Sequence, residues 1–82
     1  MEIRYAQRAQ DDLKALPKDM QKRIAKKMRF YASQQDPTRF AKRLVNFDEG
    51  MFRFRVGDYR VFFDVERDVL FVLKISHRSR AY

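Results

Sequence analysis

The stretch Met51-Phe52-Arg53-Phe54-Arg55-Val56-Gly57-Asp58-Tyr59-Arg60-Val61-Phe62-Phe63 decides the fold. Phe52, Phe54 and Val56 alternate with Arg53 and Arg55, the period-two pattern of a strand with one buried face. Gly57-Asp58 then reads as a two-residue hairpin turn. With that turn, Val56 faces Tyr59, Arg55 faces Arg60, Phe54 faces Val61 and Arg53 faces Phe62. Directly opposed residues share a sheet face, as do alternate residues along one strand. Arg53, Arg55 and Arg60 therefore project together, while Phe52, Phe54, Val61 and Phe63 project into the core.

Outward from the hairpin, the returning strand spans residues 59–65 and a last strand spans 69–76, followed by the polar tail 77–82. Upstream, Ile3 and Tyr5 alternate with charged residues and predict a short first strand. Ala9, Leu13 and Leu16 recur at helical spacing over residues 6–16, and Pro17 stops or turns that helix. A second helix is expected over residues 18–35, with Met20, Ile24, Met28 and Tyr31 in one apolar stripe. Lys18, Lys22, Arg23, Lys26 and Arg29 fall on its opposite side, and Asp36-Pro37 ends it. Residues 36–50 read as a connection. The order of elements is that of a single α+β domain over 1–82, with two helices on one face of a sheet formed mainly by three antiparallel C-terminal strands.

Parity in the last strand depends on the turn near Glu66-Arg67-Asp68. An odd turn sets Lys74 beside the arginines, and an even one sets it in the core. An unpartnered buried lysine is costly, so the odd turn is expected. Asp11 and Asp12, in mid-helix, read as solvent-exposed.

Charge narrows the functional classes. The net charge is +8, and residues 18–44 hold nine basic against two acidic groups while the flanking segments are nearly balanced. Such an excess favours a polyanionic partner, although a solvated helix face has the same pattern. There is no cysteine and only one histidine, which removes thiol nucleophiles and the usual zinc clusters. No phosphate loop or glycine-rich dinucleotide fingerprint is present. No apolar run is long enough to cross a bilayer, and the first residues lack the apolar stretch of a signal peptide, so a cytoplasmic protein is expected. Arg55 opposed to Arg60 is a repulsive pair, and three guanidiniums on one face suit a phosphate. An ion-paired surface with Asp64 and Glu66, which share the parity of Arg60, is the competing reading.

The hairpin stretch resembles the signature of the RelE/ParE toxin superfamily. Ala41-Lys42-Arg43-Leu44 resembles the segment before that family's first long strand, and His77-Arg78-Ser79-Arg80-Ala81-Tyr82 resembles its C-terminal motif. The resemblance implies a toxin neutralised by a small acidic RelB-like antitoxin. For RelE-like members it implies a ribosome-dependent, metal-free endoribonuclease cutting messenger RNA; for ParE-like members it implies a DNA gyrase inhibitor. A non-catalytic RNA-binding module is a third reading.

The RelE-like roles fall on Arg53, Arg55, Arg60, Arg78 and Tyr82. Arg53 and Arg55 stand where the best-known members have lysines, and an arginine cannot serve as a general base. Arg60, supported by Arg53 and Arg55, is expected to hold the phosphate, and Arg78 to stabilise developing charge. Tyr82 is suited to stack on a base or exchange a proton, and His77 to acid–base work. Lys22, Arg23, Lys26, Arg29, Lys74 and Arg80 are expected to bind RNA. No metal or cofactor is implied.

Overall fold

The computed structural model describes residues 1–44 and 52–80, apart from the side chain of Arg80. The chain runs β1 (Glu2–Tyr5), α1 (Gln7–Lys14), α2 (Lys18–Ala32), a 3-10 turn (Pro37–Phe40), β2 (Lys42–Arg43), β3 (Phe52–Val56), β4 (Tyr59–Glu66), β5 (Val69–His77) and a last 3-10 turn (Arg78–Arg80). The strands form one sheet in the order β1-β5-β4-β3-β2. β1 pairs with β5 in parallel and the other pairings are antiparallel, so the sheet is mixed.

The hairpin register is the expected one: Val56 opposes Tyr59, Arg55 opposes Arg60 and Phe54 opposes Val61. Gly57 carries the turn at φ +59°, where a side chain is strained. α1 and α2 end before their expected limits. Ser33 closes α2, its amide donating to the Arg29 carbonyl and its hydroxyl to that of Phe30. β2 lies inside the expected connection, and two residues are too few to show a period.

The apolar stripe of α2 packs on the sheet. Ile24, Met28 and Tyr31 are buried with Phe54, Val56, Val61, Phe63, Leu70 and Val72, and Met20 flanks them. Tyr31, Phe54 and Phe63 form a column of parallel rings, with centroids 3.9 Å and 4.0 Å apart. Each such pair adds about 0.5–1.5 kcal/mol beyond the area it buries.

Two expectations need correction. The turn between β4 and β5 contains two residues, Arg67 and Asp68, with Arg67 at φ 55°. That even turn alone would send Lys74 into the core. Instead the register shifts between Phe62 and Phe63: Phe63 opposes Val72, whereas Phe62 opposes Lys74. Leu73 is the extra residue of a β-bulge, which returns Lys74 to the arginine face by another route. The second correction concerns Asp12, which is not a solvent-facing helix residue. Its Oδ2 accepts the Ile75 amide at 3.0 Å. β1 ends opposite Val72, so Asp12 takes over the backbone of β5 where no strand covers it.

Asp12→Ala leaves that amide unpaired at a partly buried site and is expected to lower stability by about 1–3 kcal/mol. Chemical denaturation measures the loss, and faster hydrogen exchange at the Ile75 amide locates it.

Candidate anion-binding face

The face of the sheet away from α2 carries two cross-strand rows. Lys42, Arg53, Phe62 and Lys74 lie opposite one another across β2, β3, β4 and β5. Arg55, Arg60 and Ser76 form the next row. Opposed side chains on neighbouring strands start only about 4.5–5.5 Å apart, and diagonal neighbours stay within reach of long side chains. Arg60 thus has Arg55 directly across from it and both Arg53 and Lys74 on its diagonals. Arg78 joins from the end of β5. Its amide donates to the Asp58 carbonyl at 2.7 Å, and its Nε lies 3.7 Å from Asp58 Oδ1. Arg55 Nε in turn donates to the Gly57 carbonyl at 3.4 Å. The hairpin turn therefore holds a guanidinium on each side.

Electrostatics single out Arg60. Its Nη1 is shut off from solvent and has no hydrogen-bond acceptor among the described residues. Burial lowers its pKa from the ordinary arginine value, and the charges of Arg55, Arg53 and Arg78 lower it further, against an opposing pull from Asp58. An arginine still keeps its proton at neutral pH. The outcome is a cation held against its neighbours with one donor unused, an arrangement that an anion's oxygens relieve.

The apolar part of this face was not anticipated. Phe62 shares the arginine face yet is only 2% exposed. The Lys74 ammonium lies 5.5 Å from its ring centroid. Lys42, Asp58 and Ser76 also belong to the site and were missed. Lys42 gave no signal because its strand is two residues long, Asp58 read only as a turn residue, and Ser76 as the end of a strand.

Other expected site residues lie elsewhere. His77 opposes Tyr59, whose parity is that of the core, so its ring faces the helix side. There it meets Tyr59 edge-on at 5.3 Å, and its Nδ1 lies 2.9 Å from Ser79 Oγ. It borders a hollow of about 670 Å³ with Arg8, Asp12, Tyr59 and Ile75, which Lys74 and Ser76 also line at the edge of β5 but Arg53, Arg55, Arg60 and Arg78 do not. Lys22, Arg23, Lys26 and Arg29 are exposed on α2, across the sheet from the arginines. Among these, Arg23 comes back to the hairpin: its Nη1 lies 3.3 Å from where a Cβ on Gly57 would sit. Tyr82 and the Arg80 side chain lie outside the described residues.

A family model for the ParE toxin of the type II toxin–antitoxin system parDE matches residues 3–82. The chain belongs to this toxin family. Solved structures place it more broadly in the RelE/ParE superfamily. The toxin is similar to a chain of the RelBE2 toxin–antitoxin complex from Mycobacterium tuberculosis, with 25% identity, coverage of 95% of this chain and 91% of that one, and a TM-score of 0.76. It is equally similar to a chain of the archaeal RelE–RelB complex from Pyrococcus horikoshii, with 26% identity, coverage of 98% and 97%, and a TM-score of 0.76. A chain of the RelB–RelE complex from Methanococcus jannaschii shares the fold at 23% identity, with coverage of 92% and 89% and a TM-score of 0.70. No curated protein matches the sequence. The toxin is thus a RelE/ParE-like member of a type II toxin–antitoxin system.

The lowered Arg60 pKa fixes the sign of its effect on stability. Folding disfavours the charged form, so the charge opposes folding at every pH below the folded pKa. That penalty disappears only as pH rises through the lowered value towards that of a free arginine. At neutral pH, Arg60→Met should therefore fold at least as stably as the parent, while binding of anionic oligonucleotides falls. Urea denaturation alongside oligonucleotide titration checks both halves.

Proposed function

We propose that this toxin is a ribosome-dependent, metal-independent endoribonuclease that cuts messenger RNA by attack of a ribose 2′-OH on the adjacent phosphate. The observation carrying the reading is the buried Nη1 of Arg60, without an acceptor among the described residues, amid Arg53, Arg55 and Arg78. A transferring phosphate brings several acceptor oxygens and gains charge in the transition state, which such a site stabilises. Arg60 holds the phosphate with Arg53 and Arg55 beside it, and Arg78 stabilises the phosphorane or the leaving oxygen. Tyr82 is assigned to stacking on a base or to proton exchange.

A site rich in arginine orients charge better than it moves protons. It relies on RNA delivered already bent, and orientation alone contributes roughly 7–11 kcal/mol. The ribosome supplies that orientation. Lys22, Arg23, Lys26 and Arg29, on the far side of the sheet, form a second surface suited to ribosomal RNA. Action on ribosomes places the toxin in the cytoplasm. The similar chains from M. tuberculosis, P. horikoshii and M. jannaschii come from RelB–RelE-type complexes, which supports a RelB-like antitoxin as the neutralising partner, and the net charge of +8 suits a small acidic one.

The name of the matching family model favours a second reading, inhibition of DNA gyrase without nuclease chemistry. One comparison separates the two. Programmed ribosomes, with polyamine replacing magnesium and EDTA present, should have their messenger cut fast, and free messenger should be cut slowly. The ends should be 2′,3′-cyclic phosphate and 5′-hydroxyl, and Arg60→Ala should remove the activity. Accumulated DNA breaks with intact messenger would establish the gyrase reading, and 5′-phosphate ends would mean attack by water.

The charge distribution also sets the kinetics of neutralisation. Association with the acidic antitoxin should slow steeply from low to high salt, because ions screen steering beyond about 8–10 Å. Stopped-flow rates that ignore salt would mean that apolar contacts govern the encounter.

A further inference from the structure

The proposed cleavage needs a proton for the departing 5′-oxygen, and the guanidiniums that dominate this face do not release one. Lysine differs: its ammonium carries protons at neutral pH and can part with one. Two lysines share the face, Lys42 and Lys74. Lys42 is exposed at the outer edge and opposes only Arg53, two strands from Arg60. Lys74 is partly buried and is a diagonal neighbour of Arg60, on the side opposite Arg53.

The backbone supplies an independent indication. β5 contains an extra residue between the Phe63–Val72 and Phe62–Lys74 pairs. Without that bulge the two-residue turn would aim Lys74 at the core, so the irregularity serves to turn it outward beside Arg60. Bulges recur next to active sites because they re-aim a side chain in this way. Phe62 then gives the ammonium a fixed seat, 5.5 Å from the ring centroid. The charged groups around it are Arg53 on β3, Arg60 and Asp64 on β4, and Arg8 and Asp12 from α1 across the hollow at the edge of β5. His77 borders the same hollow from the other face.

We propose that Lys74 is the general acid of the site, transferring a proton from Nζ to the 5′-oxygen that leaves the scissile phosphate. The assignment rests on the ribonuclease reading above. As the 2′-oxygen bonds to phosphorus, its proton passes to solvent water. The bond between phosphorus and the 5′-oxygen breaks, and the electron pair left on that oxygen takes a proton from Lys74. The neutral amine is reprotonated by water, leaving a 2′,3′-cyclic phosphate and a 5′-hydroxyl.

Lys74→Arg keeps the charge and removes the transferable proton; Lys74→Gln removes both. Each is assayed on programmed ribosomes carrying either an ordinary messenger or one whose scissile 5′-oxygen is replaced by sulfur, with circular dichroism verifying the fold. A thiolate leaves without protonation. Lys74→Arg should cut the ordinary messenger about 100-fold or more slower than the parent, in the range of general-acid effects. It should cut the sulfur-containing messenger within a few-fold of the parent rate, and Lys74→Gln should also recover there. Parental rates of the arginine variant on the ordinary messenger would overturn the assignment. Equal slowing on both messengers would overturn it too, because it would reduce Lys74 to a placed charge. If the parent cleaves neither messenger, the ribonuclease reading itself fails and this assignment with it.

Discussion

The ring column of Tyr31, Phe54 and Phe63 is the contact on which the site depends. It ties α2 to the middle of the β3–β4 hairpin through planes inclined by only 13° and 12°. Side chains alternate across a strand, so fixing Phe54 inward fixes Arg53 and Arg55 outward, and fixing Phe63 and Val61 does the same for Arg60. A one-residue slip of either strand would exchange the two sets and put guanidiniums in the core. Cohesion on one face thus holds repelling charges together on the other. The hairpin turn contributes at the tip, where Asp58 holds Arg78 through its backbone carbonyl and its carboxylate and Gly57 leaves room for Arg23.

Beyond Val72, the bulge governs how the rest of β5 meets that face. It sets Lys74 against Phe62 and Ser76 against Arg60, and it brings Arg78 to the turn. The same shift turns Ile75 and His77 to the helix side. One inserted residue therefore decides that a lysine, and not the only histidine, stands beside the arginines. It also explains why Asp12 is needed where it is: the shifted half of β5 runs past the end of β1, and a carboxylate from α1 meets its unpaired amide.

The arginine face was legible because its signal is local. Two alternating strands and a Gly-Asp turn specify a register, and the register specifies a face. The helix stripe was legible for the same reason, since Met20, Ile24, Met28 and Tyr31 recur at a regular spacing. What stayed hidden depends on contacts between distant segments. Turn length was the only available guide to Lys74, and a bulge overrides it without changing any residue pattern. Asp12 looks solvent-facing on its own helix, and only the position of β5, sixty-three residues away, gives it a partner. His77 was chosen for its chemistry, which carries no information about which face it occupies.

Arg60 shows why such a site suits a charged ligand rather than a structural role. Like charges opposed across strands cost roughly 0.2–1 kcal/mol a pair, and an unmet buried donor roughly 1–3 kcal/mol. A domain of this size has only about 5–15 kcal/mol of stability in total. An ion-paired surface would be expected to satisfy that donor, yet Asp58, the carboxylate acting on Arg60, lies instead beside Arg78 at the turn. The unmet donor is withdrawn from water, so water competes poorly for it. A phosphate that reaches it meets a full charge and a directed N–H at once, and the same burial that weakens the free protein strengthens that bond.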